Sequence, residues 1–143
     1  MRGAAGLAIA AVSLALAACD ASEAADSADS AAPIVEAAPT VSTIDAMQLQ
    51  TLLEDGGIRL VDVRTDEEVA GGVIPGAEHV VLDDFDPARL DLSDGREVVL
   101  YCRSGRRSEF AAQRLAEHTG KPARHLEGGI TAWADAGHPI VQD

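Results

Sequence analysis

Positive charge is scarce in this chain. Eleven Lys and Arg stand against 24 Asp and Glu, a formal net charge of −13, whereas a DNA- or RNA-binding protein needs a basic surface to displace counterions. Nucleic acid is therefore excluded as a partner. Cysteine is scarce too: Cys19 and Cys102 are the only two in 143 residues, too few for a disulfide framework and too far apart for a CxxC redox pair. The four histidines, His79, His118, His125 and His138, lack the i, i+4 pairing or clustered spacing of a zinc site and read as ordinary residues. No metal and no cofactor is expected. Also lacking are an internal repeat and an apolar run of the about 20 residues that a permanent transmembrane helix needs.

What the chain does have begins with Arg2 and the apolar stretch Leu7 to Ala18, broken only by Ser13. A charged start followed by a short apolar region is the shape of a signal peptide. Its end, Leu16-Ala17-Ala18-Cys19, resembles the lipobox of bacterial lipoproteins. That resemblance implies a signal peptide over residues 1–18 and a lipid on the sulfur of Cys19, holding an exported protein on the periplasmic side of the cell membrane. Asp20 resembles the residue that keeps many enterobacterial lipoproteins at the inner membrane. Ala15-Leu16-Ala17 also fits the small-x-small site of ordinary signal peptidase, which would release a soluble periplasmic protein. Residues 19–40 are nearly all Ala, Ser, Asp, Glu and Pro. Such a composition cannot bury enough apolar area to offset its ordering entropy, and a flexible acidic tether is expected.

From 41 to 143 the pattern switches between short β-branched runs and helical spacing, as in an alternating α/β domain with a mainly parallel sheet. Strands are expected at Ile58–Val63, His79–Leu82 and Glu97–Tyr101, apolar enough to be covered on both faces. Leu49, Leu52 and Leu53 share one face of a helix that Gly56-Gly57 would end. A second helix is expected over Ser108–Thr119, its stripe of Ala111, Ala112, Leu115 and Ala116 small enough to lie close on the sheet, and a third around Ile130–Ala136.

The segment from Val98 to Ser108 runs strand, loop, helix, which places Cys102 at the carboxyl end of a parallel strand, where open α/β sheets bind ligands. Loop amides beneath a helix N-terminus favour an anion and lower a thiol pKa. Arg103, Arg106 and Arg107, three of the ten basic residues in 41–143, add full positive charges, so every local influence is expected to favour thiolate, the reactive form. Gly105 lets the loop turn. Ser104 or Ser108 would donate a hydroxyl or cap the helix, capping being the commoner role for Ser108. Asp62 and Arg64, two apart on a strand, share a face; with Glu67 or Glu68 nearby they are expected to form a structural ion pair.

Tyr101-Cys102-Arg103-Ser104-Gly105-Arg106-Arg107-Ser108 resembles the active-site loop of single-domain rhodaneses. Leu60-Val61-Asp62-Val63-Arg64 is similar to that family's second strand, Ile74-Pro75-Gly76-Ala77 to its turn, and Leu126-Glu127-Gly128-Gly129-Ile130 with Trp133, Gly137 and Pro139 to its C-terminal motif. Val73 stands where that family commonly has histidine, which bears on local packing more than on activity. The resemblance implies a rhodanese-like three-layer sandwich, a five-stranded, mainly parallel sheet flanked by helices. It implies a sulfurtransferase in which the Cys102 thiolate takes the outer sulfur of a small anionic donor such as thiosulfate, forms a persulfide, and passes the sulfur to cyanide or a thiol. Arg103, Ser104, Gly105, Arg106 and Arg107 would then bind the donor and hold the persulfide.

Two rivals remain. Cysteine phosphatases and arsenate reductases of the same fold resemble Cys-x5-Arg, with a loop one residue longer; here the sixth position after Cys102 is Ser108. A non-catalytic or sulfur-carrier module that binds a partner protein is the other.

Overall fold

The computed structural model describes residues 38–142; the signal peptide, the lipidation site Cys19, Asp20 and nearly all of the expected tether lie outside them. Five strands form one sheet in the order β1-β5-β4-β2-β3, with every pairing parallel. They are β1 (Val41–Ile44), β2 (Ile58–Asp62), β3 (Glu78–His79), β4 (Glu97–Tyr101) and β5 (Ala123–Leu126). Three helices lie between strands, α1 (Ala46–Asp55), α2 (Asp66–Ala70) and α3 (Arg106–Thr119), and α4 (Gly129–Asp135) follows β5.

The period-2 alternation of a strand sorts β4 between two cores. Val99 and Tyr101 join Leu49 of α1 and Ile130 and Trp133 of α4 on one face. Val98, Leu100 and Cys102 join Ala111, Ala112, Leu115 and Ala116 of α3 on the other. The result is the expected three-layer α/β sandwich, and the small-residue stripe of α3 is buried as its spacing predicts. At α1, Asp45 and Gln48 form a reciprocal capping box, and Gly56, at φ 68°, closes the helix.

Two elements differ from expectation by more than one residue at a boundary. The strand expected over His79–Leu82 stops at His79, because Leu82–Asp84 forms a single 3-10 turn in which the Phe85 amide bonds to the Leu82 carbonyl. That turn delivers Phe85, 1% exposed, to the core beside α3. Helix α3 begins at Arg106, two residues ahead of the expected Ser108. Strands β1 and β5 and the short helix α2 carry too weak an apolar pattern to be read from sequence: Ala-Arg-His-Leu alternates only once. Val73, in the histidine position, is buried and makes a two-hydrogen-bond antiparallel bridge with Val141, so backbone holds the chain end there.

Candidate active site

Cys102 follows directly on β4 and is 1% exposed. Its carbonyl accepts from the Ile130 amide at 2.8 Å; the Arg103 carbonyl accepts from the Thr131 amide at 3.3 Å and the Thr131 hydroxyl at 2.9 Å. The first turn of α4 thus takes the loop's first two carbonyls, leaving amides to face the sulfur. The Gly105 amide donates to Cys102 Sγ at 3.1 Å. Gly105 sits at φ 96°, strained for any residue with a side chain, and a Cβ there would meet Gly128 N at 3.3 Å.

Gly129 is held more tightly still. At φ 59°, its Cβ would overlap the Cys102 carbonyl oxygen and lie 2.6 Å from the Arg103 carbonyl carbon. The Gly128-Gly129 pair is therefore the seat on which the loop rests. Sequence reasoning treats it as a fold motif and misses this role, although two glycines at a helix start are a sign of close backbone approach.

Ser108 is the third residue of α3 and does not cap it. Its buried hydroxyl lies 2.9 Å from the Gly105 carbonyl and 3.7 Å from Cys102 Sγ, facing the site. Gly105 occupies the N-cap position without a side-chain bond. Ser104 is exposed at the loop tip, and its contribution to the sulfur is its amide.

The expectation that every local influence favours thiolate is corrected. Burial is the largest single influence on Cys102 and raises its pKa. Opposing it are the Ser108 amide and hydroxyl and the amides of Ser104 and Gly105, and together they hold the thiol below its ordinary value. Hydrogen bonds to the anion carry the effect.

The arginines divide. Arg103 and Arg106 are exposed at the rim of the loop. Arg107 is half-buried and gives both guanidinium nitrogens to Glu68 of α2, at 2.7 and 2.8 Å. This bidentate bond, ahead of the opposing effect of burial, drops the Glu68 carboxyl to about 2. Arg107, held above its ordinary pKa first by Glu68 and further by Cys102, links the acidic helix to the sulfur. Its charge is matched, contrary to the picture of three free cations, by a partner 39 residues away.

Asp62 and Arg64 do form the expected ion pair, at 2.6 Å and fully inside the domain. Arg64 also donates to the Gly72 and Glu68 carbonyls, but the Glu68 carboxylate serves Arg107. The Tyr101 hydroxyl accepts from the Ile74 amide at 3.2 Å, and burial followed by its bond to Asp62 pushes the phenol far up. This buried network braces the strand ends under the loop. His125, read from sequence as ordinary, is buried on β5 with Nδ1 3.3 Å from Ser108 Oγ. Among the described residues no group of three or more His, Cys, Asp or Glu is placed to hold a metal.

A cleft of about 500 Å³ lies at the opposite end of the sheet between the start of β4 and the end of α3, lined by Leu92, Val98, Leu115 and Pro122 among others. It is remote from the sulfur. A groove of about 310 Å³, lined by Arg64, Glu68, Gly72, Thr131 and Ile140 among others, flanks the loop.

The family model described as Rhodanese-like domain matches residues 45–136. A sulfurtransferase of Allochromatium vinosum is 39% identical over 102 residues, 71% of this chain and 95% of that protein. An uncharacterized protein of Synechocystis sp. is 37% identical over 109 residues, 76% of this chain but only 61% of that protein's length. A solved structure of thiosulfate sulfurtransferase from Pseudomonas aeruginosa superposes with a TM-score of 0.64 at 32% identity, covering 73% of this chain and 20% of that one.

Proposed function

The chain belongs to the rhodanese-like domain family, whose named members include sulfurtransferases, and on that premise we propose that it moves a sulfane sulfur from a small anionic donor such as thiosulfate to cyanide or a thiol through a persulfide on Cys102. The observation that carries this reading is the buried sulfur held by the Gly105 amide and the Ser108 hydroxyl, with its thiol pKa depressed. In the first step the thiolate attacks the outer sulfur of thiosulfate. A Cys102 S–S bond forms, the donor's S–S bond breaks, and sulfite leaves with the electron pair. The terminal sulfur of the persulfide carries the negative charge into a loop lined with inward amides, an arrangement of the oxyanion-hole kind. Cyanide then attacks that sulfur, thiocyanate departs, and the thiolate returns.

The step uses no general base: the thiolate is the attacking form, and the loop amides and the Ser108 hydroxyl favour it over the thiol. Arg103 and Arg106, exposed at the rim, are suited to receive the anionic donor; Arg107, matched by Glu68, is suited to orientation. The loop from Cys102 to Arg107 is one residue shorter than a phosphatase Cys-x5-Arg loop, which favours sulfur over phosphate. A sulfur-carrier role for the same persulfide is the second reading, differing only in that the acceptor is a partner protein's thiol.

The test is to incubate the protein with thiosulfate and cyanide and follow thiocyanate, with Cys102→Ala alongside. Turnover by the wild type and none by the variant is expected; equal turnover by both, or none by the wild type, overturns the reading. We further propose that the protein is exported and lipidated on Cys19, on the strength of Arg2, the apolar stretch Leu7–Ala18 and the Leu16-Ala17-Ala18-Cys19 lipobox. The described residues contain no helix long and apolar enough to cross a membrane.

A further inference from the structure

Ser108 has one hydroxyl proton and three groups that compete for it or for its oxygen. The Gly105 carbonyl lies 2.9 Å from Oγ, His125 Nδ1 3.3 Å and Cys102 Sγ 3.7 Å. All four residues are buried. The competition turns on His125, because a neutral imidazole carries its proton on one nitrogen only. With the proton on Nε2, Nδ1 is an acceptor and draws the Ser108 hydroxyl away from the sulfur. With the proton on Nδ1, the imidazole donates to Oγ, and the hydroxyl proton is left to the Gly105 and Cys102 side.

The Gly105 carbonyl, the nearest of the three, can only accept, so the Ser108 hydroxyl directs its single proton to that side and Nδ1 is left to donate to Oγ. His125 stands opposite Leu100 in the β4–β5 pairing, one strand over from the cysteine. Among the described residues Nε2 has no hydrogen-bond partner and no buried side-chain nitrogen or oxygen is unsatisfied, so Nε2 is open to solvent and can accept there. The geometry points to His125 as a positioning residue that, by donating from Nδ1 to the Ser108 hydroxyl, keeps that hydroxyl's proton on the side shared by the Gly105 carbonyl and the Cys102 sulfur. Burial keeps the ring neutral, while Glu109 of α3 and Glu127 after β5, which pull the other way, are the carboxylates acting on it. The chain His125–Ser108–Cys102 thus supplies a side-chain donor in addition to the loop amides.

The inference rests on Cys102 being the nucleophile, but its test needs no sulfur transfer. The rate of Cys102 alkylation by iodoacetamide is followed against pH in the full chain, with peptide mass spectrometry separating Cys102 from Cys19. His125→Leu, which removes the donor, is expected to move the midpoint up and slow alkylation roughly threefold to tenfold below it, with the high-pH plateau unchanged. His125→Asn, whose amide donor falls near the Nδ1 position, is expected to restore most of the difference. Ser108→Ala is expected to raise the midpoint as well, and adding His125→Leu to it to change little further, since the histidine acts through the serine. A His125→Leu profile that superposes on wild type, or a lowered plateau with an unmoved midpoint, overturns the inference. Side-chain ¹⁵N shifts of His125 give an independent check on the unaltered protein: the Nδ1–H tautomer is expected, and an Nε2–H tautomer with Nδ1 accepting overturns it. Failure to form thiocyanate with a shifted alkylation profile would sink the sulfurtransferase reading and leave this one standing.

Discussion

At the scale of single residues, the buried polar groups of the site are paired with partners that sequence order conceals. Glu68 is the sharpest case. Its carboxyl is held at about 2 against an ordinary 4.5 by Arg107. A depressed folded-state pKa contributes stability that is fully present above pH 4.5 and is lost as pH falls toward about 2. Glu68 is a quarter exposed, and solvent screening reduces the pair's contribution to roughly 1–2 kcal/mol. Glu68→Gln should therefore lower the urea midpoint at pH 7, with the gap to wild type closing as the measurement is repeated toward pH 2. A gap that stays constant with pH would show that the ion pair is not its source.

At the scale of elements, the loop depends on the helix it leans against. The α4 N-terminus holds the Cys102 and Arg103 carbonyls, and only a glycine at 129 leaves room for them. Gly129→Ala sets a methyl group on backbone atoms that cannot swing aside, and also strains a positive φ. A loss of about 2–4 kcal/mol in urea unfolding is expected, together with a raised Cys102 pKa as the amides lose their aim. A loss under about 1 kcal/mol would mean that the loop can be repositioned cheaply. The same contact explains what was legible. Cys102, its arginines and its strand–loop–helix setting lie within eleven consecutive residues, so local pattern suffices to find them. Gly129, His125 and Glu68 reach the site from α4, β5 and α2, and no local spacing announces a tertiary contact. Ser108 was misplaced for a related reason, since the helix start is set by Gly105 and the sulfur above it.

At the scale of the whole molecule, the alternation of strand and helix was readable because β2 and β4 are built around short apolar runs, Leu60-Val61 and Val98-Val99-Leu100-Tyr101. The edge strand β1 was not, because it pairs on one side only and needs little apolar pattern. The export proposal is also a property of the whole chain. Cys19→Ala is expected to abolish lipid incorporation and to shift the protein from the membrane to the aqueous fraction of fractionated cells. A variant that still partitions with membranes would count against the anchor.

The order of the sheet bears on how the molecule is made. Strand β1 has one neighbour, β5, and its register sets Val41 against Ala123. A ribosome that has delivered everything from β1 through α3 has produced a first strand with nothing to pair with, and the sheet closes only when the last strand emerges. The β1 edge of the sheet therefore forms last although its residues are made first, a non-local pairing of the kind that slows folding.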